Sequence, residues 1–182
     1  MTSSDLIDVL ATDHDRLEVL FSRMAGTPLG DPLRRELLDE AAELLERHMA
    51  VEEAYLYPMA LRTLPDSAET VAHERIRLAA IGALLDDLGP LHADSAVFDR
   101  KVALLVREVT GHAHREQAVL LRDLADAAEQ DELADGGRHA RSQPLRKVHR
   151  RPADRPRDDL PPPEQSLKQR LRGFFRHSGA WR

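Results

Sequence analysis

Cysteine is absent from the 182-residue chain, which excludes disulfides, thiolate metal sites and thiol nucleophiles; any bound metal must be held by nitrogen and oxygen. Aromatic residues make up only 4% of the chain, too few for the aromatic and β-branched surfaces on which sheets depend. No apolar run approaches the ~18 residues of a membrane span. The Met1–Leu10 stretch has acidic residues and no basic segment ahead of its first apolar positions, so a cytoplasmic setting is expected. What abounds instead is Leu, Ala, Glu, Asp and Arg. These favour helices, because most are unbranched and lose little rotamer freedom there. An all-α domain is the expectation.

Charge divides the chain. Residues 1–136 carry 13 basic and 28 acidic side chains, a net of -15, whereas residues 137–182 carry 13 and 4, a net of +9. In the acidic part, Leu6, Leu10, Leu17, Phe21 and Met24 recur at helical spacing before Gly26-Thr27-Pro28 ends the run. A second helix opens at Asp31-Pro32, carries Leu38, Ala41, Leu45, Leu56 and Met59 on one stripe, and reaches about residue 62, with a bend or end expected near Pro58. Asp66 and Glu69 have capping-box spacing and introduce a third, whose stripe is read as Ile76, Ala80 and Leu84, before Gly89-Pro90. Asp94 or Ser95 caps a fourth, along which Phe98, Val102, Leu105, Val109, Val119 and Leu120 share a face up to about Ala128. Short loops make sequential helices antiparallel, so residues 1–134 are expected to form an up-down-up-down four-helix bundle. Residues 135–182, opening on Gly136-Gly137 and rich in Arg and Pro, read as a disordered basic tail. A short amphipathic helix at 166–178 is expected to meet an anionic surface or a protein partner.

Stepping ~100° per residue around each helix places polar residues inside the apolar stripes. His48 and Glu52 lie among Leu45, Leu56 and Met59, and His112 and Glu116 repeat the pattern among Leu105, Val109 and Val119. His14 falls between Leu10 and Leu17, and His73 lies near the face of Ala80 and Leu84. An unpaired carboxylate in a core costs several kcal/mol, so Glu52 and Glu116 must be neutralised, paired or bound to a cation. Residues four apart stack on one helix face, close enough for an imidazole and a carboxylate to meet one metal or two adjacent ones. The expected ligand set is His14, His48, Glu52, His73, His112 and Glu116, with the carboxylates bridging two divalent ions and the imidazoles completing their shells. Glu18, Glu53 and His114 lie off these stripes and are expected to face solvent, as are His92 in a loop and His139, His149 and His177 in the tail.

His14, the HMAVEE run from His48, His73-Glu74 and the HAHRE run from His112 together resemble the hemerythrin-like HHE cation-binding domain, over about residues 5–128. The resemblance implies a non-haem di-iron centre, one iron near His14 and His48 and the other near His73 and His112, bridged by Glu52 and Glu116. Zinc and manganese accept the same ligands. Oxygen-carrying hemerythrins have a fifth histidine where this chain has Arg77, a permanent cation that cannot bind metal. The resemblance therefore points to a protein that reacts with peroxide, dioxygen or nitric oxide, catalase-like turnover being its most specific form, rather than to a reversible oxygen carrier. Arg77 is alternatively read as pairing with Glu52 or Glu116. A rival function is an iron or redox sensor that signals through the basic tail.

Overall fold

The computed structural model describes residues 5–144, and every regular element among them is helical. Helix α1 spans Leu6–Ala25 and α2 spans Pro32–Val51. A π-helical turn, Glu52–Leu56, joins α2 to α3, Tyr57–Thr63. Next come α4, Ser67–Leu88, and α5, Ala96–Glu116. A second π turn, Gln117–Leu121, leads into α6, Arg122–Ala127, and α7 spans Gln130–Ser142. Helices α2 and α3 thus form one rod and α5 and α6 another, giving five helical rods among the described residues. None of their helices is long and apolar enough to cross a membrane.

Local chemistry sets most of the ends. Asp5 and Asp8 form a reciprocal capping box on α1, Asp31 caps α2 ahead of Pro32, and the Ser95 hydroxyl accepts the Phe98 N–H at 3.1 Å. The expected capping box at Asp66 and Glu69 does not form. Asp66 lies in the left-handed region, φ 60°, where its side chain makes no cap bond, and Ser67 turns its hydroxyl to the Ala60 carbonyl instead. Pro58 does not end its rod either: it enters α3 just after the π turn, in which the Tyr57 N–H reaches back five residues to the Glu52 carbonyl.

The core is aliphatic, and the stripes of α1, α2 and α5 lie in it as expected. Two expectations fail by phase. In α4 the buried residues are Ser67, Val71, Glu74, Leu78, Ile81 and Leu88, a strict three-four repeat; Ile76 is 66% exposed and Ala80 is exposed. Val119 is exposed because the π turn inserts a residue and passes the inward face to Leu120, Leu121 and Leu124.

Helix α7 crosses the domain boundary expected after residue 134. It buries Leu133, Gly136, Gly137 and Ala140, and it packs along α1. A Cβ at Gly136 would stand 3.2 Å from the Leu6 side chain, so the glycine that looks like a break permits this close approach. His139 stacks on Tyr55, and Gln143 donates to the Tyr55 hydroxyl at 3.2 Å. The remainder of the basic tail, with the helix expected at 166–178, lies outside the described residues.

Candidate metal centre

Three rods bring five of the six expected ligands together. His14 comes from α1, His48 and Glu52 from α2 and its π turn, and His112 and Glu116 from α5; all five are buried, Glu52 completely. One ligating atom from each of His14, His48, His112 and Glu116 lies within 4.8 Å of the others. His14 Nε2 is 3.1 Å from His48 Nε2 and 3.3 Å from Glu116 Oε2. Glu52 Oε1 is 3.0 Å from His112 Nε2 and 3.6 Å from His48 Nε2. Donor atoms ~2.0–2.2 Å from one ion, set between right angles and the tetrahedral angle, stand about 2.8–3.6 Å apart. The observed spacings lie in or beside that range.

Hydrogen bonding does not account for the cluster. Glu52 Oε2, both Glu116 oxygens, His112 Nε2 and His14 Nδ1 are buried without a hydrogen-bond partner. The short approach of His112 Nε2 to Glu52 is not aligned as a hydrogen bond; both atoms converge on the same small volume. Two imidazole nitrogens 3.1 Å apart likewise share either one proton or one cation. These residues fit a metal, because a cation among the three Nε2 atoms and the Glu116 carboxylate would satisfy His112 Nε2 and Glu116, which no hydrogen bond does.

The electrostatics agree. Burial, reinforced by the neighbouring Glu52 charge, pushes the Glu116 carboxyl up to about 7. Burial alone would depress the His112 imidazole, yet the carboxylates of Glu52 and Glu74 outweigh it and hold it up to about 10. The His14 imidazole is depressed by burial, despite its contact with Glu116. The Asp13 and Glu74 carboxyls are lowered although burial opposes this: His48 and Arg47 act on Asp13, and His112, Arg77 and Arg115 on Glu74.

His73 does not join the cluster. It is exposed and lines a cleft of about 220 Å³ with Thr70, Glu74, Arg77, Arg115 and Glu116. The buried carboxylate of α4 is that of its neighbour Glu74, which accepts from His112 Nδ1 at 3.0 Å. Arg77 pairs with Glu74 at 2.6 Å rather than with Glu52 or Glu116. Sequence reasoning also passed over Asp13, buried beside His48 and Arg47, and Tyr57, whose hydroxyl lies 3.5 Å from Glu52 Oε1. The signal for Glu74 was available: it sits in the middle of the Val71, Leu78, Ile81 repeat.

Each HxxxE pair is followed by a π turn, Glu52–Leu56 in one rod and Gln117–Leu121 in the other. Proline is not the common cause, since only the first turn precedes one. What the two rods share is the inward imidazole and carboxylate, and such widened turns gather at functional sites.

Comparison with known proteins returned no match among curated proteins and none among solved structures. The family model of the hemerythrin HHE cation-binding domain matches residues 5–124, the span that holds every buried imidazole and carboxylate described above. With that match over most of its length, and with imidazoles and carboxylates converging inside its helices, this chain belongs to the hemerythrin HHE cation-binding family.

Proposed function

We propose that the protein is a non-haem di-iron protein in which His14, His48, Glu52, His112 and Glu116 hold the ions inside an up-down-up-down bundle, with Glu52 and Glu116 as bridges. The single observation that carries this reading is the set of buried imidazole and carboxylate atoms 3.0–3.6 Å apart, among which His112 Nε2 and Glu116 Oε2 have no hydrogen-bond partner and the His14 and His48 Nε2 atoms have only each other. When bound, iron supplies a reversible change of oxidation state and an open position for a small oxygen-derived ligand, such as peroxide, dioxygen or nitric oxide. The chain's own residues do the rest. Leu10, Leu45, Leu56 and Leu105 limit bulk water, while the cleft between α4 and α5 reaches Glu116 from solvent. His73 lines that cleft together with Glu116, and we assign it to the second ion on that ground. Catalase-like consumption of peroxide is the most specific form of the proposal.

Elemental analysis of freshly purified protein, followed by optical spectra with and without peroxide, tests it. Two irons per chain, with a ligand-to-iron charge-transfer band that peroxide alters, is the expected result. Protein that stays metal-free when reconstituted with ferrous iron overturns it.

A further inference from the structure

We infer that Asp13 and Glu74 are positioning residues, each fixing the imidazole of the next rod so that its Nε2 faces the metal, and each anchored from behind by an arginine. The inference rests on the metal-binding reading above and concerns how the site is built.

An imidazole that binds metal through Nε2 keeps an N–H at Nδ1, and in a dry interior that proton needs an acceptor. Glu74 Oε2 lies 3.0 Å from His112 Nδ1, and Asp13 Oδ2 lies 3.6 Å from His48 Nδ1. In both cases the far oxygen belongs to an arginine. Arg77 Nη1 reaches Glu74 Oε1 at 2.6 Å, with Arg115 Nε at 3.9 Å, and Arg47 bonds Asp13 Oδ1. The order arginine, carboxylate, imidazole therefore occurs twice, once across α1 and α2 and once across α4 and α5. His14 lacks the arrangement: neither its Nδ1 nor His48 Nδ1 makes a hydrogen bond, but only that of His48 has a carboxylate set against it, Asp13 at 3.6 Å. Each anchoring arginine takes up the far oxygen and leaves the near one facing Nδ1 as an acceptor, and this selects the tautomer whose Nε2 lone pair is free. Arg77, which stands where oxygen carriers have a fifth histidine, acquires a role by the same geometry: it holds the holder of His112.

Zinc, which is diamagnetic, is the probe. In competition against a chromophoric chelator, full-length Glu74→Leu and Asp13→Leu bind zinc about 10–100-fold more weakly than wild type. Glu74→Gln keeps an acceptor and recovers part of that loss, and Arg77→Ala falls between Glu74→Leu and wild type. Nitrogen-15 spectra of the zinc-loaded wild type show His48 and His112 carrying a slowly exchanging proton at Nδ1; the His112 signal is lost in Glu74→Leu. Should the leucine variants fail to fold, Glu74→Gln and Arg77→Ala carry the test. Equal zinc affinity in every folded variant, or zinc on Nδ1 of either histidine, overturns the inference and leaves the metal centre standing. Wild-type protein that takes up neither zinc nor iron overturns both.

Discussion

The half of the molecule built from α1 and the α2–α3 rod and the half built from α4 and the α5–α6 rod use the same parts, but α1 delivers two ionisable residues to the interior and α4 only one. Asp13 and His14 are adjacent, about 100° apart around the helix, and both are buried. Glu74 is buried while the adjacent His73 is not. The difference lies in what covers each helix. Helix α1 packs against α2 and α7, so its buried face is wide enough for Val9 with Leu10, Asp13 with His14, and Leu20 with Phe21. Helix α4 packs on α5 and α3 and buries a stripe one residue wide. A neighbouring helix therefore sets how many ligands a rod presents: three inward donors gather in the first half, His14, His48 and Glu52, against His112 and Glu116 in the second.

The largest test of this asymmetry is metal content. His48→Ala is expected to lower uptake of both ions at least tenfold, whereas His112→Ala leaves about one ion per chain because the three-donor half still closes on it. Equal loss in the two variants, measured by elemental analysis, would show that the halves do not act separately. Next in size is the response of metal-free protein to pH. The raised His112 imidazole contributes stability that is complete below about 6.5 and is lost as pH climbs through about 10. Glu116, also raised, favours its neutral form, so its contribution is lost as pH rises through about 7. Asp13 and Glu74 are lowered and act in the opposite sense, losing their contribution on acidification below the usual carboxylate range. Thermal unfolding of the metal-free protein should therefore peak in mildly acid buffer, and metal loading near pH 8 should release protons; a flat profile from pH 6 to 10 contradicts the assignment.

Two glycines compare the covered and uncovered helices. Gly136→Leu forces α7 off Leu6 and is expected to cost about 1–3 kcal/mol. Gly82→Ala on α4, where a Cβ meets nothing within 4 Å, is expected to stabilise by about 0.5–1 kcal/mol. Denaturant midpoints that move in the same direction for both would remove the distinction. Smallest of all, Tyr57→Phe should cost less than ~1 kcal/mol, given a 3.5 Å bond, and metal-free His73→Ala should unfold within ~0.5 kcal/mol of wild type.

The burial of five of the six expected residues was legible because α1, α2 and α5 each have one dominant apolar stripe, and a polar residue within such a stripe can only be inside. Helix α4 offers two rival stripes, Ile76 with Ala80 and Leu84, or Val71 with Leu78, Ile81 and Leu88, and the first carried His73 to the wrong face. Helix α7 was hidden by composition: Gly136-Gly137 and the arginines around it look like a linker, although Leu133 and Ala140 already lie at helical spacing. The π turns leave no mark in sequence, since they conserve composition and shift only phase, which is why Val119 was misplaced while His112 and Glu116, upstream of the shift, were not.

Those widened turns have a mechanical corollary. Every residue beyond Leu56 or Leu121 is aimed by the one extra unit threaded through the rod behind it. Shortening either turn by one residue would swivel the downstream segment by about 100° and carry Tyr57 out of the interior in one rod, Leu124 in the other. The far ends of both rods are thus geared to the backbone beside the ligands, and neither can be re-registered without disturbing the other end.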